Sequence, residues 1–244
     1  MIDFSGRSIL VTGTNSGLGK FIYERIPSAT SLTRENRDDI VGGKKYDIII
    51  HSAYNSSNVN FTDLDLKYVD DNLILTLELV NLCDDCFIYV SSIDSVNNIE
   101  SSYALFKKLS EDLVRSKIEN YFIIRSSHLI QGGDADKIPG SVRKIINGEP
   151  ISLTENSKFN LVSYDDMLSY IVKKIENEIE DKEINLVNSE SIMVSDVIEM
   201  LEKNGGHGNF EYIPTIPKES YKVEKTSKEM LMKYLEEMSI IWEY

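Results

Sequence analysis

The chain is poor in cysteine, in basic residues and in long apolar runs, and each shortage closes off a class of functions. Only two cysteines occur in 244 residues, Cys83 and Cys86. Two cysteines cannot complete a four-cysteine zinc site, and no metal is assigned. Their C-x-x-C spacing admits a redox pair, but they close a helical pattern of Leu77, Leu79, Val80 and Leu82 and lead into an apolar run. Packing at a helix end is the expectation. No stretch reaches about 18 consecutive apolar residues, so no membrane-spanning helix is expected. The opening Met1-Ile2-Asp3-Phe4-Ser5-Gly6-Arg7 has an early acid and no long apolar run, unlike a secretory signal. A cytoplasmic location follows as an expectation. Lys and Arg number 26 against 40 Asp and Glu, a formal net charge of −14. Such a surface repels nucleic acid, although a few backbone N–H groups and one or two Arg can still hold a small anion. Neither an internal repeat nor a low-complexity tract is present.

What remains is a composition with 41% apolar and 27% charged residues, enough for a sizeable core under a solvated surface. Short apolar runs alternate with amphipathic segments, the pattern of a parallel sheet covered by helices. Strands are expected at Ser8–Thr12, Ala29–Leu32, Asp47–His51, Phe87–Ser91, Tyr121–Arg125 and Ile184–Val187. Their β-branched content suits burial on both faces. Helical patterns run from Gly17 to Arg25, from Leu64 to Leu82 and from Ser102 to Ser116, the last with Leu105, Leu109, Leu113 and Val114 on one side. After Arg125 the texture loosens, with Gly132-Gly133, Pro139-Gly140, Gly148 and Pro150. Helices are expected there near Val142–Ile146, Tyr164–Ile175 and Ser195–Lys203. A glycine loop, Gly205-Gly206-His207-Gly208, precedes a terminal helix around Ser227–Met238. The predicted fold is α/β: a doubly wound parallel sheet of Rossmann type with a small C-terminal substrate lobe. Residues 1–126 form the dinucleotide-binding domain and 127–244 the reduced lobe, with 184–188 returning to the main sheet.

The first strand runs into Thr12-Gly13-Thr14-Asn15-Ser16-Gly17-Leu18-Gly19-Lys20. Gly13 permits the tight turn, Gly17 lets the backbone approach a pyrophosphate, and Gly19 lets the helix pack close to the sheet. A strand before and a helix after is the context such a loop needs to bind a dinucleotide, so Asn15, Ser16 and Leu18 join the three glycines as cofactor contacts. Arg34 falls at the end of the second strand, with Glu35 beside it and Arg37 three residues on. An arginine there accommodates a 2′-phosphate, so NADP is expected in preference to NAD.

Tyr103 and Lys107 lie four apart on a helix and share a face, after Ser91 and Ser92 at the end of a strand. An ammonium beside a phenol lowers its pKa from about 10 and makes it a usable acid or base. The same spacing recurs at Tyr170/Lys174 and Tyr221/Lys225, but with no strand-end serine before it. Context selects Tyr103.

In order along residues 6–205 stand Thr12-Gly13-x-x-x-Gly17-x-Gly19, Asp47-x-x-x-His51-Ser52-Ala53, Asn72, Val90-Ser91-Ser92, Tyr103-x-x-x-Lys107, Ile124-Arg125-Ser126-Ser127 and Asn160–Asp166. This ordered set resembles the short-chain dehydrogenase/reductase superfamily, in particular its extended branch of nucleotide-sugar epimerases, dehydratases and reductases. The resemblance implies that Ser92 is the catalytic serine, Tyr103 the acid/base and Lys107 its partner, which also holds the nicotinamide ribose. It further implies that Asn72 supports the site, that Ser52 and Ala53 pass along the cofactor, and that Ser126 lies near the nicotinamide amide. His128 falls where the substrate pocket begins. No arginine stands near Lys158-Phe159-Asn160 to clamp a nucleotide diphosphate, which leaves Arg143, Lys144 or Lys158 for that task. The resemblance also implies pairing of two copies through the helices of Leu64–Leu82 and Ser102–Ser116.

Dehydratases of this branch carry Asp-Glu directly after the catalytic residue, whereas Ser92 is followed by Ile93-Asp94-Ser95. The expected reaction is reduction of a keto group on a nucleotide-linked sugar, with the proton from Tyr103. An epimerase with retained NAD and a non-catalytic dinucleotide-binding module are the alternatives.

Overall fold

A computed structural model of the protein describes residues 2, 4, 6–56, 65–97, 101–131, 143–144 and 157–202. The expected helix start at Leu64, all of the Val142–Ile146 helix except Arg143 and Lys144, the 205–208 loop and the terminal helix lie outside these residues. The described chain divides into two compact units, one drawn from residues 1–125 and 168–184 and the other from 126–167 and 185–244.

In the first unit β1 (Ile9–Thr12) leads into α1 (Gly17–Tyr23), then β2 (Thr30–Leu32), α2 (Arg37–Val41) and β3 (Tyr46–His51). A helical stretch follows in three pieces: α3 (Leu66–Val69), a π-helical segment (Asp70–Ile74) and α4 (Leu75–Leu82). β4 (Cys83–Ser92), α5 (Asp94–Asn97), α6 (Ser102–Lys117) and β5 (Tyr121–Ser126) complete the run, and β9 (Glu183–Leu186) joins the same six-stranded sheet. The strand order is β2-β1-β3-β4-β5-β9, with β1 parallel to β2 and β3, and β3 parallel to β4. The chain reverses direction of winding at β1, which puts the crevice for a ligand between the carboxyl ends of β1 and β3. All four residues of β1 are buried, as a central parallel strand requires.

Two elements differ from their sequence patterns. The cysteines open β4 instead of ending a helix: Cys83 pairs with Tyr46 and Cys86 with Ile48. Both are free and buried, and burial pushes their pKa values up, to about 12 and about 11. A thiol held protonated in this way is inert, so they act as core side chains. On α6 the buried side is Ala104, Phe106, Lys107, Ser110, Glu111 and Val114, while Leu109 is 39% exposed. The leucine row therefore does not mark the core face. Polar residues do, because partners waiting under the helix satisfy them.

The second unit contains β6 (His128–Ile130) beside β8 (Leu161–Ser163), and β7 (Lys158–Phe159) antiparallel to β10 (Ile192–Met193). Tyr164 opens α7 (Tyr164–Ile175), whose residues from Leu168 onward belong to the first unit, and β10 leads into α8 (Val194–Glu202). Asn160 ties this unit together: its Oδ1 accepts from Ser127 Oγ and Asn188 N, and its Nδ2 donates to Asn188 O. Among the described residues no helix is long and apolar enough to cross a membrane.

Candidate active site

The glycine loop forms a cradle. Gly13 and Gly17 have φ of +74° and +57°, the left-handed region that glycine enters without strain. At Gly19 a Cβ would lie 2.4 Å from the carbonyl oxygen of Gly13 and 2.5 Å from that of Thr12, so only glycine lets α1 sit this close to β1. No side chain caps α1 at Ser16, so the N–H groups of its first turn are available donors. Thr12 fixes the opposite wall: its Oγ1 accepts from the N–H of both Ser52 and Ala53, and its carbonyl accepts from Ser52 Oγ. Between the walls lies a cavity of about 430 Å³, lined by residues 13–19, Leu32–Glu35, Arg37, Ser52–Asn55, Asp71 and Leu75. Backbone donors at one end and a polar rim at the other fit the adenosine-diphosphate half of a dinucleotide.

The rim at the end of β2 is crowded with carboxylates. Arg34 donates to Asp71 at 2.9 Å, Asn55 Nδ2 donates to the same carboxylate oxygen at 2.9 Å, and Lys67 approaches it as well. Arg37 is bound by Asp70 and by Glu78. Glu35 is exposed, and hydrogen bonding from Thr33, its own backbone and Asn15 keeps its carboxyl below the usual range. Three cations, Arg34, Arg37 and Lys67, thus face four carboxylates.

His51 lies beneath the loop, fully buried. Burial, with a smaller effect of Lys107, lowers its pKa to about 3, so it is neutral. Its Nδ1 stands 2.9 Å from Thr12 Oγ1 and its Nε2 3.0 Å from Thr76 Oγ1. Thr76 donates to the carbonyl of Asn72, so Thr76 accepts from Nε2–H and Thr12 donates to Nδ1. This one-way chain links the glycine loop to the π-helical segment and leaves His51 no proton to exchange.

Ser92 ends β4, and Tyr103 and Lys107 occupy the first turns of α6. Ser92 is buried, its Oγ accepts from Asp94 N, and its hydroxyl acts on the Tyr103 phenol to lower its pKa. The expectation that Lys107 lowers the phenol's pKa is corrected here. Burial raises the pKa of Tyr103, and the Ser92 hydroxyl opposes that only in part. The ammonium is directed elsewhere: Lys107 Nζ donates to Val90 O at 2.8 Å and lies 4.5 Å from the centre of the Tyr54 ring and 4.9 Å from that of Tyr89. Burial brings Lys107 itself down to about 7.

Asn72 sits inside the π-helical segment, a kind of distortion found often at functional sites. Its Oδ1 accepts from Asn55 N at 2.7 Å, its Nδ2 donates to Asn55 O, and its carbonyl accepts from Ser110 Oγ as well as Thr76. Its described bonds therefore reach the loop after β3 rather than Tyr103 or Lys107. Ser126 is buried at the end of β5. In the second unit, His128 is exposed with its ring edge-on to Phe159 at 5.6 Å, and Arg143 is partly exposed in a helical pair with Lys144.

Several residues of this neighbourhood were not singled out from the sequence. Glu111, one helical turn beyond Lys107, is wholly buried. Ser91 and Ser95, on either side of Ser92, both donate to its Oε1 at 2.6 Å. Arg125 donates to it through two nitrogens and Arg115 through one. Both arginines also bind Glu183. Burial opposes ionisation of Glu111, but these donors outweigh it and hold the carboxyl below its ordinary range. The i,i+4 spacing from Lys107 was a usable signal for Glu111. No pattern marked Tyr54 or Asp71.

No protein-family model matches the chain, and no curated protein matches it in sequence. Solved structures do resemble it. WbmG of Bordetella bronchiseptica, solved with NAD, superposes with a TM-score of 0.73 at 11% identity, over 98% of this chain and 96% of that one. A dTDP-4-dehydrorhamnose reductase of Clostridium acetobutylicum gives 0.71 at 16%, over 95% and 99%. A UDP-N-acetylglucosamine 4-epimerase of Methanobrevibacter ruminantium, in complex with UDP-N-acetylmuramic acid, gives 0.71 at 16%, over 96% and 98%. The chain thus shares the Rossmann-type α/β fold of these solved structures.

Proposed function

We propose that the protein is a nicotinamide-dinucleotide-dependent oxidoreductase that reduces a keto group on a nucleotide-linked sugar. The observation that carries this reading is a glycine cradle at the end of β1 in the same unit as Ser92 at the end of β4 and Tyr103 in the first turn of α6. The backbone from Gly13 to Gly19, including Asn15, Ser16 and Leu18, would hold the diphosphate; Arg34, Ser52 and Ala53 would flank the adenosine side. Lys107 and Ser126 are assigned to the nicotinamide side, and His128 and Arg143 to the substrate. The nicotinamide, when bound, supplies the hydride. Ser92 holds the substrate carbonyl and Tyr103 donates a proton to its oxygen. A phenol kept protonated by burial suits the acid role, hence the reductive direction.

Of the two dinucleotides, NAD suits the rim better than the NADP expected from Arg34. A 2′-phosphate would enter a field of four carboxylates and compete with Asp71 for Arg34. Calorimetric titration should give NADH about a tenfold tighter Kd than NADPH, the order of one like-charge contact near a surface. Tighter NADPH would restore Arg34 as the phosphate ligand. Screening a panel of keto-sugar nucleotides with the better dinucleotide tests the reaction. If the dinucleotide binds and no ketone is reduced, the protein is a binding module.

The preference for NAD also supports the second reading, a redox-neutral epimerase that retains its cofactor. NAD released from the purified protein on denaturation, with none consumed during turnover, would select it. The dimer implied by the resemblance is supported by Ile74 and Leu109, each 39% exposed on the helices expected to pair. A monomer in sedimentation at micromolar concentration would refute that dimer.

A further inference from the structure

The cavity stops short of the residues proposed to do chemistry. Its lining ends at Tyr54 and Asn55 and includes none of Ser92, Tyr103 and Lys107. What stands at that end is the Tyr54 ring. It meets Tyr103 edge-on, with centres 5.0 Å apart at 81°, and presents its face to Lys107 Nζ at 4.5 Å. Its hydroxyl lies 2.6 Å from that of Tyr68, which is itself buried against Phe106. An ammonium has three protons. Lys107 Nζ donates to the Val90 carbonyl and lies against two aromatic faces, Tyr54 and Tyr89. Tyr54 thus covers one side of Lys107 while its ring is in place.

The backbone on both sides of Tyr54 is pinned. Ser52 and Ala53 donate to Thr12, and Asn55 is bound through its N–H and C=O to the Asn72 side chain and through its own side chain to Asp71. Movement at this point is thus concentrated in the Tyr54 side chain, a rotamer change that leaves the cradle intact.

We infer that Tyr54 determines which ligands the site accepts: with its ring in place the site takes a nucleoside diphosphate, and the ring must swing off Lys107 and Tyr103 before a whole dinucleotide can seat. This inference rests on the dinucleotide reading above. Its thermodynamic consequence is that apparent affinity for the dinucleotide is reduced by the fraction of molecules with the ring turned away, while affinity for ADP is not.

The test is calorimetric titration of the full chain with ADP and with NADH, for the wild type, Tyr54→Ala and Tyr54→Phe. Tyr54→Ala should tighten NADH roughly tenfold and leave ADP within about twofold. Tyr54→Phe keeps the ring but loses the Tyr68 hydrogen bond, and should tighten NADH by about threefold. ADP binding in each variant reports that it is folded. If Tyr54→Ala fails to bind ADP, Tyr54→Phe decides. An NADH-to-ADP affinity ratio that stays constant or falls overturns the inference and leaves the dinucleotide reading standing. A wild-type protein that binds neither ligand overturns both.

Discussion

The two halves of the proposed site are built on opposite principles. The cradle is a backbone device: glycines, N–H groups and one threonine hydroxyl shape an open cavity whose selectivity comes from form and from the charge around its mouth. The Ser92–Tyr103–Lys107 half is a side-chain device, closed by its neighbours, with Ser92 engaged by Asp94 N and Lys107 by the Val90 carbonyl and two aromatic rings. A backbone cradle binds as it stands. A closed cluster has to exchange one partner for another, so its residues measure competition as much as attraction. The difference teaches that the presence of catalytic side chains in the right order does not make them accessible.

Breaking the cradle should have the largest effect. Gly19→Ala forces a Cβ into two backbone carbonyls that cannot move aside, and should cost about 3 kcal/mol of stability or more, with ADP and NADH binding lost together. Urea unfolding and ADP titration measure this; a wild-type midpoint with ADP retained would show that the helix can shift away from β1. Breaking the other half should be selective. Tyr103→Phe keeps ADP and NADH affinity but lowers turnover by about 10² or more, the size of an acid contribution. Turnover unchanged in that variant removes Tyr103 from the reaction.

The smallest effect sharpens the comparison through pH. The folded-state pKa of Lys107, about 7, lies below that of an unfolded lysine. Between those values the unfolded chain binds more protons, so stability rises with pH, by at most about 1.4 kcal/mol per unit. Below pH 7 both states are protonated and the slope vanishes. Lys107→Met should abolish the rise between pH 7 and 9. Parallel stability curves for variant and wild type over that window would place a charged, well-solvated ammonium in the core. No comparable slope is expected from the cradle, which contains no titrating group.

This contrast also explains what could be read from the chain alone. β1, β3 and the loop between β1 and α1 were legible because buried parallel strands and positive-φ glycines restrict residue choice at each position. The order Ser92, Tyr103, Lys107 was legible as spacing, but what the ammonium does was not, since that depends on Tyr54 and Tyr89 arriving from other elements. The 64–82 pattern reads as one helix because α3, the π-helical segment and α4 follow one another without a break in the chain. α2 was missed because it is only five residues long, Arg37–Val41, and none of them is fully buried. The leucines of α6 misled for the opposite reason: Lys107, Ser110 and Glu111 are polar in sequence and core in structure. The two- and three-residue strands of the second unit are too short to show a period at all.

The Glu111, Arg115, Arg125 and Glu183 cluster has a consequence for synthesis. Until Glu183 emerges from the ribosome, 58 residues after Arg125, Arg115 and Arg125 lack the carboxylate that joins them from β9, and Arg115 has Glu111 and Asp112. This cluster in the first unit is therefore completed only after all of the second unit's opening segment, residues 126–167, has been made. Nascent chains ending before that strand lack one carboxylate of the cluster, so the sheet of the first unit is sealed late, by its last edge strand.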